Sequence, residues 1–107
     1  MNAEDVPMLT REEANALIKA ILYLKFDCAD AQSLTYAASP LINSSLDKLV
    51  AMHGYGEDWA KVFAALPPAY TELVKRKIDA SEQDNGSEYD DEVRQLVTEY
   101  SVYPYTL

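Results

Sequence analysis

The chain has 107 residues, the size of one domain, and 49% apolar with 25% charged residues is a globular balance that excludes wholesale disorder. Its formal net charge is −9, from 18 Asp and Glu against 9 Lys and Arg. That sign excludes the basic face on which direct binding to nucleic acid or to an anionic membrane depends.

Residues 1–9 read as a short polar lead. Met1 reads as a native start, and the acidic stretch after it lacks the apolar run of a secretory leader. Thr10 with Glu13 fits a capping box and opens a helix near 10–29. Ala14, Leu17, Ile18, Ile21, Leu22 and Cys28 share its apolar face, flanked by Leu24 and Phe26. Residues 31–38 read as a loop or a single helical turn. Ser39-Pro40 starts a second helix near 40–53, with Ile42, Leu46, Leu49, Val50 and His53 on its apolar side. Gly54 is its stop.

A short helix near 57–66 carries Trp59, Val62, Phe63 and Leu66 at i, i+3, i+4, i+7 spacing. Pro67-Pro68 ends it and opens a fourth helix near 68–80, with Tyr70, Leu73, Val74 and Ile78 inward. Residues 81–87, Ser-Glu-Gln-Asp-Asn-Gly-Ser, carry turn chemistry. A fifth helix near 88–101 turns Tyr89, Val93, Leu96, Val97 and Tyr100 to the core. Pro104 makes the tail after it extended. No hairpin, repeat or βαβ alternation is present. The expected fold is therefore all-α: one domain over 1–107, a bundle or orthogonal array of about five helices.

Much chemistry is missing. One His and one Cys cannot make a soft-ligand metal site, and a lone Cys28 makes no internal disulfide. The absence of disulfides points to a cytoplasmic setting. His53 has no nucleophile or carboxylate motif beside it and reads as a histidine in the last turn of its helix. His-Gly-Tyr-Gly lacks the spacing and the lysine of a phosphate loop. Read as a calcium loop, 81–92 has Gly86 and Glu92 in place, but Ser81 and Gln83 stand where acidic ligands are needed. Cys28 reads as a buried, inert thiol. Lys25 and Lys77 interrupt apolar faces near helix ends, where they are expected to snorkel to solvent. No catalytic residue, metal or cofactor is assigned.

Two signals remain. Asp79, Glu82, Asp84, Glu88, Asp90, Asp91 and Glu92 follow one another with no intervening Lys or Arg. Those at the start of the fifth helix suit the helix dipole, which does not explain the whole run. Tyrosine is in excess, 8 against 2 Phe and 1 Trp, and its apolar ring with a polar tip suits binding surfaces. Acids that steer and tyrosines that anchor suit a basic protein partner. The expected contact residues are Asp84, Glu88, Asp90, Asp91, Glu92, Tyr103 and Tyr105. By analogy of composition, this is the character of toxin-immunity proteins, antitoxins and inhibitors that imitate nucleic acid. The other expectation is an assembly subunit or adaptor that works through apolar surface, its charge serving solubility.

Overall fold

Capping chemistry sets the first long helix. In the computed structural model, which describes residues 8–107, α1 spans Arg11–Phe26. Glu13 N–H donates to Thr10 Oγ1 at 3.0 Å, and Thr10 N–H donates to Glu13 Oε1 at 2.8 Å, so two free donors are satisfied reciprocally. The polar lead expected over 1–9 falls mostly outside the described residues, of which Met8 and Leu9 are exposed. A 3-10 turn, Ala31–Ser33, runs into the one-turn helix α2, Leu34–Ala37. Then come α3, Pro40–His53; α4, Glu57–Val62; α5, Pro68–Asn85; and α6, Asp91–Val102. No strand occurs among the described residues, so the all-α expectation holds.

The α3 boundaries are those expected: Ser39 Oγ accepts from Ile42 N–H, and Gly54 closes the helix at φ 82°, a left-handed conformation that favours glycine. Other boundaries moved. α1 stops at Phe26 rather than 29, which leaves Cys28 half-buried in the following loop. α4 stops at Val62, buries no residue fully, and leaves Val62 exposed. α5 runs on through 81–85, the segment read as a turn, and stops only at Gly86, φ 70°. The reason is tertiary. Ser81 and Glu82 find partners on the next segment, which outweigh their weak turn preference. Residues 81–92 are therefore not one loop.

The apolar interior is divided in two. Ala14, Ile18, Leu46 and Leu49 form one cluster between α1 and α3, with Trp59 and Tyr55 against it. Leu34, Val74, Ile78 and Val102 form a second among α2, α5 and α6. Between them runs a polar seam made by the two lysines expected to snorkel. Lys25 is 0% exposed and Lys77 is 1% exposed. Lys25 Nζ donates to Ala37 O at 2.7 Å and Tyr100 O at 2.9 Å, with a longer approach to Ser101 O at 3.5 Å. Lys77 Nζ donates to Leu24 O at 2.9 Å. Each cation meets carbonyls in the last turn of a helix, where partial negative charge collects. Snorkelling fails because these helix ends are inside the molecule, and their carbonyls need donors there.

Burial lowers the Lys25 ammonium from its ordinary value to about 7, with Lys77 adding like-charge repulsion. Burial also lowers Lys77, partly offset by Cys28 and Asp30 nearby.

The C-terminal tail folds back on the helices. Tyr103 has the extended backbone that a following proline imposes, φ −51° and ψ 136°. The chain then turns rather than running on, and Tyr105 N–H donates to Val102 O at 2.9 Å. The Tyr105 ring lies among Phe26, Phe63 and Tyr70, with centroids 5.4, 4.8 and 5.8 Å away. Phe26 stacks on Tyr70 at 4.5 Å. The tail therefore packs back on the fold through a half-buried Tyr105, while Thr106 and Leu107 stay exposed.

Candidate functional site

The acidic run folds into the hairpin between α5 and α6, and its members take different roles. Asp79 and Glu82 lie on α5 and are both held by Arg94 of α6. Arg94 Nη2 meets Asp79 Oδ1 at 2.9 Å, and Arg94 Nη1 donates to Glu82 Oε1. These are the only ion pairs found among the described residues. Glu82 also accepts from Tyr89 N–H at 2.9 Å. The Tyr89 hydroxyl lies 2.8 Å from Ser81 Oγ and accepts from Asn85 Nδ2 at 3.0 Å. Two acids of the run are thus neutralised, and they tie the hairpin together.

Asp90 is the N-cap of α6: its Oδ1 accepts from Val93 N–H at 2.8 Å. Asp91 and Glu92 occupy the first turn, where the helix dipole favours them. Glu88, expected in that turn, lies before the helix, since α6 begins at Asp91 rather than 88. Asp84, Glu88, Asp90, Asp91 and Glu92 are all exposed. The five acids expected to contact a partner thus gather at one end of the α5–α6 hairpin.

Tyr103 and Tyr105 do not join them. α6 has 12 residues, so its two ends are about 18 Å apart at 1.5 Å per residue. The tyrosines follow the far end. The Tyr103 hydroxyl donates to Asp47 Oδ1 on α3. Burial first, then that bond and the carboxylate charge, push Tyr103 up to about 12. Burial likewise raises Tyr105. Both tyrosines are half-buried and bound to neighbours within the fold.

The face of α6 expected to point inward is the main correction. Val97 is half-buried, but Val93 is 40% exposed, Leu96 44% and Tyr100 41%. Ser101 and Val102 are buried instead, and Arg94 and Thr98 are half-buried. Val97 and Val102 pack into the second apolar cluster, and polar anchors fix the same rotation. Arg94 is drawn to α5 by Asp79 and Glu82, and the Tyr100 carbonyl is held by Lys25 and by Asn43 Nδ2 at 3.0 Å. Turning Val93, Leu96 and Tyr100 inward would carry Arg94 out to solvent. Hydropathy periodicity alone points the helix the other way; the clue in the sequence is Arg94, the one cation of the segment, set among carboxylates.

Elsewhere the structure offers little chemistry. His53 stacks on Tyr55 at 3.9 Å, and its backbone carbonyl accepts from Arg11 Nε at 3.0 Å. Among the described residues no group of three His, Cys, Asp or Glu is placed to hold a metal ion. No helix of the described residues is long and apolar enough to cross a membrane. No protein-family model, curated protein or solved structure matches the chain.

Proposed function

We propose that this chain is a non-enzymatic binding protein that occludes a basic protein partner, as toxin-immunity proteins, antitoxins and nucleic-acid mimics do. The observation that supports it most is the set of exposed carboxylates at the α5–α6 end. Among the described residues, Asp84, Glu88, Asp91 and Glu92 form no ion pair, and Arg94 beside them is already held by Asp79 and Glu82. Unpaired like charges crowded on one end raise the local field and favour an approaching cation. The tyrosines of the tail serve the fold in this reading, and the acids meet the partner. The single cysteine supports a reducing, cytoplasmic setting.

The test is kinetic. D90N/D91N/E92Q removes three charges and keeps the cap, since asparagine caps a helix about as well as aspartate. Association with a captured basic partner should slow by about tenfold at low salt, with dissociation little changed. Wild-type association should also fall steeply as salt rises. An unchanged, salt-insensitive rate would sink the reading.

One observation favours the adaptor alternative: the exposed apolar residues of α6, together with Leu41 at 80% and Val62 at 65% exposure. An adaptor would bind its neighbour equally well with the three charges removed.

A further inference from the structure

Val93, Leu96 and Tyr100 stand at i, i+3 and i+7 of α6 and are each about two-fifths exposed. At about 100° per residue they lie within about 60° of one another and form one apolar ridge two turns long. Such a ridge puts an apolar stripe on the side of the helix where polar residues are the rule.

Its two borders differ. Toward α2 it descends into a groove whose lining includes Leu34, Ala38, Val93 and Val97, with Ser81 and Tyr89 at its α5 side. On the other side, Glu92 and Glu99 form a second row at i, i+7, and both are exposed. The helix presents no free cation beside the ridge, because its only basic residue, Arg94, faces α5.

We propose that this face is a docking line for an amphipathic helix of a basic partner, with apolar anchors on the ridge and groove and Lys or Arg against the Glu92–Glu99 row. The inference rests on the basic-partner reading and gives it an address. A ridge with i, i+3, i+7 spacing beside a groove is the complement of another helix's apolar stripe. The acid row selects the sign of that helix's flank. A second copy of this chain is a poor occupant, since it brings another −9 and the same acidic border. Leu96, near the centre, is the position where an anchor would be most completely desolvated.

Two synthetic helical peptides test this against the full chain. One carries leucines on one face and lysines on both flanks; the other has glutamates in place of the lysines. Binding is followed by backbone amide shifts. The cationic peptide should move the amides of 93–100 and of Leu34 and Ala38, and the anionic peptide should move none. Leu96→Asp should weaken the cationic peptide about tenfold or more. It should still unfold cooperatively, with only a modest fall in thermal midpoint, because Leu96 is already 44% exposed.

Shifts confined to 84–92, with Leu96→Asp binding normally, would overturn the docking line and leave the basic-partner reading standing. Equal binding of both peptides to the ridge would overturn the charge argument and favour the adaptor. Binding of neither peptide, even at low salt, would overturn both. A wild-type mass that rises with concentration and returns to one chain in Leu96→Asp would show that a second copy is the occupant, against the proposal.

Discussion

Lys25→Met should cost clearly more folding free energy at about pH 9 than at about pH 6. The sign follows from where the amine sits. Its ammonium in the fold is lowered to about 7, against 10.5 when unburied. Below about pH 7 both folded and unfolded chains hold the proton, and the fold carries the full cost of burying charge. Between about 7 and 10.5 the unfolded chain keeps a proton that the fold has released, so stability rises with pH. The slope from this one group is at most about 1.4 kcal/mol per pH unit.

Methionine has neither the cost nor the dependence. At low pH the substitution should be nearly neutral, as replacements of buried charge by apolar groups often are. At high pH it should cost about 1–3 kcal/mol, because the Ala37 carbonyl loses its donor. A neutral amine still has two hydrogens, enough for the two short bonds to Ala37 and Tyr100. Lys25→Ala also empties the site and should cost about 3–5 kcal/mol at high pH. That is a large part of the roughly 5–15 kcal/mol that holds a domain together. Denaturant unfolding of the wild type and both variants across this range is the measurement. A pH-independent difference between wild type and Lys25→Met would mean that the carbonyls keep the amine fully charged.

Phe26→Ala should lower stability by about 3–5 kcal/mol. Phe26 is 7% exposed and carries the stack with Tyr70 and the edge contact with Tyr105. Tyr105→Ala should cost less, about 2 kcal/mol, since the ring is only half-buried. Because the two rings touch, the double variant should depart from additivity by about 0.5–1.5 kcal/mol. The functional corollary separates two roles for the tail. If Tyr105 belongs to the fold, Tyr105→Ala binds the cationic peptide with unchanged affinity once its stability loss is allowed for. If it is a partner anchor, affinity falls and stability does not.

These two sites show what kind of information lies in the chain alone. The capping box of Thr10 and Glu13, the Ser39-Pro40 start, the Gly54 stop and the proline start of α5 are interactions within a few residues. They could be read from spacing, and they place α1, α3 and the start of α5, the three longest helices, and with them the all-α class. The acidic run is equally local, so its gathering at one end of α6 was legible. Its division into paired and free carboxylates was not, because Arg94 lies 15 residues from Asp79 and 12 from Glu82.

Lys25 stands on the same stripe as Ala14, Ile18 and Ile21, so its position on a buried face was visible in the periodicity. Its partners were not. They are carbonyls 12 and 75 residues away, on helix ends that become interior only when α2 and α6 meet α1. The rotation of α6 has the same origin. Periodicity ranks faces by hydropathy, and by that measure Val93, Leu96 and Tyr100 belong inside. A guanidinium held by two carboxylates and a carbonyl held by a buried amine are directional interactions, and they act together with the burial of Val97 and Val102 against the exposure of part of three apolar side chains. The sequence by itself determined the all-α class, the caps of α1 and α3 and the sign of the surface charge. Only the tertiary structure decided which face of α6 meets solvent, because Val97 and Val102 pack into a cluster built from α2 and α5 while Arg94 and the Tyr100 carbonyl find partners distant in sequence.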